Sequence, residues 1–191
     1  MADLQLQYGS GAPTFYNMAR NGGVTFDLQE AERIVRTWRK INNQIAAMWP
    51  DLHDTFRHMF SQKQSCAVDF RGRVEIGFDS HRNAGYVRAP TGLMMWYPDP
   101  AYGTNKKGQS GFGYKVKAGR SEWFELIRPT TSANNVIQFL ARCATMEHAV
   151  ILSDYASLRL VLSVHDENVF IVPDHAVDRA AQACNLSLIH I

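Results

Sequence analysis

The stretch 158–172 constrains the fold more than any other part of the chain, because two apolar runs enclose four polar residues. Residues 158–164 alternate with a period of two, which predicts a strand with one face fully buried. Residues 169–172 supply the returning strand. Between them lie His165, Asp166, Glu167 and Asn168. The stretch therefore predicts a β-hairpin that carries a histidine and two adjacent carboxylates at its tip.

Two interpretations of this tip follow from the residues alone. Charged groups beside apolar strands are costly unless they are solvated, paired or bound to a cation, so the tip is a candidate for a metal or catalytic site. Aspartate and asparagine are also ordinary turn residues, which makes a plain polar turn the alternative. The rest of the chain must decide between them.

Composition narrows the class of protein. The 191 residues, of which 46% are hydrophobic, suffice for one domain with a sizeable core. No apolar run is long enough to span a bilayer and the N-terminus lacks a signal-peptide pattern, so we expect a cytoplasmic protein without a membrane partner. Cys66, Cys143 and Cys184 are odd in number and outside any CxxC spacing, which favours reduced thiols over disulfides or a zinc site.

The distribution of charge is more informative than the net charge of +2, which by itself implies no polyanionic partner. A basic segment without acidic residues, interleaved with glycine and aromatic residues, contains Lys106, Lys107, Lys115, Lys117 and Arg120. Such a segment can follow a phosphate backbone. The alternative is a solvated loop that joins two strands.

The remaining pattern predicts an α+β fold. Residues 27–60 have helical apolar spacing that begins at the Asp27 cap, and Pro50 predicts a kink or break near Met48 and Trp49. A strand-rich region follows, with short strands predicted at 67–70, 74–78, 93–97, 114–116 and 123–127. After it come a helix capped by Ser132, the hairpin and a final helix. We expect long helices around an antiparallel sheet that includes the hairpin, with a small antiparallel sheet as an insertion.

Three segments, in order, carry a resemblance to a known family. The first, Leu6-Gln-Tyr-Gly-Ser-Gly11, resembles the end of motif B, where a fingers helix finishes in Tyr-Gly. The second, 132–138, resembles a palm helix that bears Asn and Gln. The third, Val-His-Asp-Glu at 164–167, resembles motif C. Together they resemble the C-terminal part of the polymerase domain of family A DNA polymerases, the class of bacterial DNA polymerase I and many phage enzymes. The resemblance covers nearly the whole chain.

The resemblance implies a division of the chain. Residues 1–26 correspond to the end of the fingers helix and its turn, 27–60 to helices, 61–131 to a strand-rich insertion, and 132–185 to the palm helix, the motif C hairpin and a final helix. Residues 186–191 fit no helical stripe, and we expect them to be a non-native or disordered tail.

The resemblance also implies the chemistry. Family A enzymes carry out template-directed nucleotidyl transfer with two magnesium ions. Asp166 matches the metal-binding carboxylate, Glu167 matches the second acid that supports the metal or the primer end, and His165 is expected near the primer terminus. The implied partners are primer–template DNA and deoxynucleoside triphosphates, with other replication proteins as further candidates.

Other residues take DNA-contacting roles in this resemblance. Tyr8 and Gly9 are expected beside the nascent base pair, where an aromatic ring stacks without reading sequence. Gln138 and Asn134, with Asn135 as an alternative, resemble residues that contact the minor groove.

Departures from the family pattern limit what the chain is expected to do alone. The motif A aspartate has no counterpart, and the triphosphate-binding lysine would precede Met1. Leu4, Leu93 and Cys143 also replace family residues, which puts nucleotide selectivity in doubt. We therefore expect a DNA polymerase parent and an inactive isolated chain.

Three alternatives remain open. A single-subunit phage-type RNA polymerase shares the palm, but its motif C usually has serine where this chain has Glu167. A non-catalytic DNA-binding half of a split polymerase would use the basic segment. A metallohydrolase that includes His175 is disfavoured because no HExxH-like spacing is present.

Overall fold

The computed structural model describes residues 6, 7, 9–156, 158–164 and 167–189, and its architecture confirms the predicted α+β class. In chain order the elements are α1 (Ala12–Asn21), α2 (Leu28–Ile41), α3 (Asn43–Ser61), β1 (Cys66–Phe70), β2 (Val74–Asp79), β3 (Ala84–Arg88), β4 (Met94–Pro98), β5 (Ala101–Thr104), β6 (Ser110–Ala118), β7 (Ser121–Leu126), α4 (Pro129–Ala156), β8 (Arg159–Val164), β9 (Glu167–Ile171), a 3-10 turn (Asp174–Ala176) and α5 (Val177–Ile189).

The chain divides into two compact units. Unit 1 comprises Met1–Val87 and Trp96–Asn135, and unit 2 comprises Arg88–Met95 and Val136–Ile191. The long helix α4 therefore contributes its first turns to unit 1 and the remainder to unit 2. The predicted Ser132 cap is wrong: the helix begins at Pro129, and the Ser132 hydroxyl donates to the carbonyl of Arg128, one turn earlier.

The break in the first helical region lies at Asn42. Of the kink or break predicted near Met48 and Trp49, the break is wrong, because the helix continues through both residues. Asn42 has φ −99° and ψ 44°, and both its backbone N–H and its side-chain amide donate to the carbonyl of Trp38. An asparagine that bonds the preceding turn competes with helix propagation. Pro50 lies inside α3, which continues through it to Ser61.

The start of α2 follows the predicted cap. The Asp27 carboxylate accepts a 2.7 Å hydrogen bond from the backbone N–H of Glu30, which satisfies one free donor of the first turn. The Glu30 carboxylate accepts two bonds from the Arg33 guanidinium, at 2.6 and 2.7 Å. These bonds fix where the helix begins and leave its apolar stripe facing the core.

Two antiparallel sheets account for the strand-rich region. The four-stranded sheet has the order β1-β2-β3-β4 and the three-stranded sheet the order β5-β6-β7. The predicted strands correspond to β1, β2, β4, β6 and β7. The strands β3 and β5 were not predicted, because each is short and contains a glycine that weakens the strand pattern.

Aromatic side chains form the core of unit 1. Phe56 and Phe60 of α3 lie 5.1 Å apart between ring centroids, and both contact the ring of Tyr97 at 5.3 Å. Gly85 permits this close packing, since a Cβ there would lie 2.4 Å from Cδ1 of Phe60. The β3 strand can therefore approach α3 only with glycine at this position.

Unit 2 has a smaller core. Leu152 of α4, Leu158 before β8 and Ala180 of α5 are buried together, and Phe170 and Val172 pack against them. The helix α5 includes residues 186–189, which the sequence pattern had set apart as a tail. Among the described residues, no helix combines the length and apolar character that a membrane crossing requires.

Candidate functional site

The predicted hairpin is present, and its strands reach closer to the tip than expected. Ser163 pairs with Asn168 and Val164 pairs with Glu167, so Glu167 and Asn168 belong to β9. The connection consists of His165 and Asp166, and both of these predicted site residues lie outside the described residues.

A hydrogen-bonded network joins the hairpin to α4. The Ser163 hydroxyl donates to Oδ1 of Asn168 at 2.6 Å and accepts from Nη1 of Arg142 at 2.7 Å. The Asn168 amide donates to the carbonyl of Thr145 at 3.0 Å. Two helical residues, Arg142 and Thr145, thus bind one cross-strand pair immediately before the tip. This anchorage holds the described ends of β8 and β9 against α4.

A bulge explains why this polar pair faces the helix. The register shifts between Leu160, which pairs with Phe170, and Leu162, which pairs with Val169, so Val161 is an extra residue in β8. A bulge inverts the alternation of faces beyond it. Ser163 therefore shares the half-buried side with Leu160, although the sequence alternation predicted the opposite.

The same shift makes the prediction of one fully buried apolar face wrong. The exposed apolar side chains of the hairpin are Val161 (46%), Leu162 (54%), Val164 (45%), Val169 (48%) and Ile171 (59%). Among the described residues the hairpin forms a two-stranded sheet without a third strand. Its outward side is consequently an apolar surface that lies open to solvent.

Glu167 is the described carboxylate of the tip. It is exposed, and no hydrogen bond or ion pair within the described ranges engages it. Magnesium sites commonly use one or two carboxylates together with substrate phosphates. Glu167 fits part of such a site by its donor chemistry, but the described residues contain no cluster of three potential metal ligands. The described part of the tip thus supplies one carboxylate of the kind that magnesium binds.

The amide residues of α4 differ in their availability. Gln138 is exposed and lies one helical turn before Arg142, so it is on the face that binds the hairpin. Asn134 is half-buried. The Asn135 side chain hydrogen-bonds Tyr97 in the core of unit 1. Of the three predicted minor-groove residues, Gln138 is the one most available to a ligand.

Gly9 brings the motif B-like segment beside the start of α4. Its φ of +75° is left-handed, its N–H donates to the carbonyl of Leu6 at 3.0 Å, and a Cβ would lie 2.1 Å from Cγ2 of Thr130. Both the turn and the close contact require glycine. Tyr8, the other predicted residue of this pair, lies outside the described residues.

The basic segment is an ordered hairpin with a structured turn. Lys106 and Lys107 lie in the turn between β5 and β6, where Oδ1 of Asn105 accepts the backbone N–H groups of Lys107 and Gln109. The Lys106 ammonium lies 4.4 Å from the centre of the Trp123 ring. The turn therefore has a defined backbone and a fixed aromatic neighbour.

The two other predicted lysines lie on β6. Lys115 is within ion-pair distance of Asp99 at 3.5 Å and of Glu122 at 3.9 Å. Lys117 pairs with Glu122 in the strand register and is exposed. Lys115 is thus already neutralised in part, whereas Lys106 and Lys107 remain better placed to meet an anion.

Sequence reasoning missed the residues that hold the hairpin. Arg142 gave no signal on its own, because its interaction with Ser163 spans 21 positions and depends on the bulge. The polar Ser163 within an apolar alternation was the available indication of an irregular strand.

Comparison with known proteins gives no matching family model, no similar curated protein and no similar solved structure.

Proposed function

We propose that the chain is the end-of-fingers and palm part of a DNA-directed DNA polymerase of the family A type. The observation that carries this proposal is the network that fixes the β8–β9 hairpin to α4 through Arg142, Ser163 and Asn168. It supports an acidic tip held beside a helix whose exposed Gln138 faces the same side. That arrangement suits a site where a primer end is held next to a base pair.

Each residue has a proposed part in the transfer. Asp166 and Glu167 provide carboxylate oxygens, and magnesium, when bound, activates the primer hydroxyl and neutralises charge on the triphosphate. His165 contacts the primer end. Gln138 donates its amide hydrogens to the acceptor atoms that every base pair presents in the minor groove, so pair geometry is tested without reading sequence. Tyr8 stacks on the nascent pair.

The open apolar side of the hairpin supports a further part of the proposal. Leu162 and Val169 form a cross-strand pair whose side chains are about half exposed. Apolar strand faces are normally covered. We propose that the strand carrying the motif A aspartate covers this side in the parent protein, and that the isolated chain performs no appreciable nucleotidyl transfer.

The test uses the parent protein. Asp166→Asn should abolish primer extension while duplex binding persists, and Asp174→Asn, an exposed residue of the 3-10 turn, serves as the matched control. Retained extension by Asp166→Asn contradicts the assignment. Template-dependent extension by the purified 191-residue chain contradicts the proposed inactivity of the chain alone.

Two other functions make different predictions. A single-subunit RNA polymerase would incorporate ribonucleotides in preference to deoxyribonucleotides, and Glu167 favours the DNA enzyme. The non-catalytic half of a split polymerase would bind primer–template in a salt-dependent way without turnover. The proposed partners are primer–template DNA, deoxynucleoside triphosphates and other replication proteins, and the proposed compartment is the cytoplasm.

A further inference from the structure

Three cavities of unit 1 adjoin one another along the β5-β6-β7 sheet. The first, of about 290 Å³, and the second, of about 370 Å³, share Gln109, Leu126 and Arg128 in their walls. The second and the third, of about 340 Å³, share Arg57 and Phe112. The shared walls make one extended depression, which we call the basic groove.

Permanent cations outnumber carboxylates in the walls of the basic groove. The cations are Arg57, Lys106, Lys107 and Arg128, and the carboxylates are Asp54 and Glu125. This excess of positive charge within a concave surface favours the entry of an anion.

The cations of the groove are also poorly neutralised by the protein itself. Within the part of the chain that the structure describes, neither the Arg57 guanidinium nor the Lys107 ammonium has an ion-pair partner, and both side chains belong to exposed residues. Arg128 hydrogen-bonds the neutral amide of Gln109. By contrast, Arg33 and Arg71 in the same unit each pair with a carboxylate. The groove therefore keeps its charge available.

His53 adds a polar group that the described residues leave unsatisfied. It lines the second cavity, and its Nδ1 atom is buried without a hydrogen-bonding partner among the described residues. Burial lowers the pKa of His53, and the charge of Arg57 lowers it further. The imidazole is therefore neutral near pH 7 and can donate one hydrogen bond. A buried polar atom of this kind is costly unless a ligand or water satisfies it.

An exposed aromatic ring lies beside these groups. Tyr102 is 76% exposed and pairs with Phe112 across β5 and β6, so the two rings lie on the same face of the sheet. Both residues line the second cavity together with Arg57 and Arg128. Cations next to an exposed aromatic ring suit a ligand that alternates phosphates with flat bases.

We propose that the basic groove binds single-stranded DNA, with Arg57, Lys107 and Arg128 on its phosphates and Tyr102 stacked on a base. A duplex does not offer base faces to Tyr102, because they are stacked inside the helix. The inference rests on the proposed function only in taking DNA as the partner. No residue of the hairpin takes part in it.

Charge variants provide the first test. Binding of a fluorescent oligothymidylate to the purified chain is measured by anisotropy over a salt series. For Arg57→Gln with Lys107→Gln, the slope of log K against log salt should fall by about 1.4, or about 0.7 per phosphate contact. The matched control, Arg36→Gln with Lys40→Gln, changes two exposed cations of α2 and should leave the slope unchanged. An unchanged slope for the groove variant, or an equal fall for the control, overturns the proposal.

An aromatic variant tests the stacking. Tyr102→Leu should weaken binding of oligothymidylate about fivefold or more and should leave binding of an abasic deoxyribose-phosphate oligomer unchanged. Equal binding of the two oligomers by the unaltered chain, or no effect of Tyr102→Leu, identifies an unspecific polyanion surface and overturns the proposal. Circular dichroism confirms that each variant is folded. All of these variants keep the β8–β9 hairpin unaltered. The effect of Asp166→Asn on primer extension by the parent protein is therefore tested independently of DNA binding in the groove.

Discussion

The hydroxyl of Ser163 donates a 2.6 Å hydrogen bond to Oδ1 of Asn168 across the β8–β9 pair. The same hydroxyl accepts from Arg142, and the Asn168 amide continues the chain of bonds to the Thr145 carbonyl. The pair therefore links two strands and a helix through one hydroxyl and one amide. Removal of either side chain breaks two of these hydrogen bonds at once in a half-buried place.

The first prediction concerns Asn168. Asn168→Ala removes both bonds of its amide group and should lower the free energy of unfolding by about 1–3 kcal/mol, because Ser163 loses its amide acceptor and the Thr145 carbonyl loses one of its donors. Urea denaturation measures the change. Asn17→Ala, on the exposed face of α1, is the control and should change stability by less than about 0.5 kcal/mol. Equal effects of the two substitutions would mean that the network contributes nothing.

The second prediction separates backbone strain from steric contact at Gly9. Gly23 also has a left-handed φ, +81°, but its added Cβ would meet nothing within 4 Å. Gly23→Ala should therefore cost about 1–2 kcal/mol from the backbone alone. Gly9→Ala should cost about 1–3 kcal/mol more, since its Cβ overlaps Thr130. Thermal or urea unfolding of the two variants, and of Gly9→Ala with Thr130→Ser, measures the difference. If Thr130→Ser restores none of the excess, the contact is not its cause.

The third prediction concerns alkaline pH. Burial raises the pKa of the Tyr97 hydroxyl above its ordinary value, and the Asn135 hydrogen bond opposes this in part. The unfolded chain therefore loses this proton first, near pH 10. Below that pH the Tyr97 hydroxyl makes its full contribution to the free energy of unfolding. As the pH rises from there towards the folded-state pKa, this contribution falls by about 1.4 kcal/mol per pH unit.

Two tyrosine variants check this dependence. Tyr97→Phe should give a shallower fall of unfolding free energy above pH 10, whatever its effect at neutral pH. Burial also raises the pKa of Tyr114, so some dependence should remain. Tyr102→Phe, at an exposed position, should keep the original slope. An unchanged slope in Tyr97→Phe would show that this hydroxyl does not govern alkaline unfolding.

The fourth prediction concerns Gln138 in the parent protein. Gln138→Ala should lower the efficiency of primer extension about 5- to 150-fold, the range expected for loss of a good hydrogen-bonding contact to a base pair. Stability should change little, because the side chain is exposed. Steady-state extension kinetics measure the effect, with Gln182→Ala on α5 as the control. Full activity of the Gln138 variant would count against a minor-groove role.

The sequence predicted the elements better than their irregularities. The apolar periods predicted the hairpin, the long helices and five of the strands correctly, because each period reflects one buried face. The break at Asn42 was missed because Pro50 is the stronger local signal. In the structure the helix ends at Asn42, whose side-chain amide bonds the Trp38 carbonyl in competition with the next helical turn.

The candidate site was predicted in part. Glu167 was expected at the hairpin tip, and the structure places it there, exposed, in the last pair before the turn. The anchoring of the hairpin to α4 through Arg142 and Asn168 was not predicted, since it depends on which residues of β8 face α4. Likewise Lys115 looked free in sequence, but it pairs with Asp99 and Glu122, which are distant along the chain or on a neighbouring strand.

The bulge at Val161 lets β8 hold one residue more than its partner strand without changing which residues face α4. Deleting Val161 would place Ser163 two positions after Leu160, so both would stay on the same side and Ser163 would still face Arg142. Sequences that retain this hairpin should therefore differ by one residue at this point of β8 more readily than they lose the polar residue at position 163.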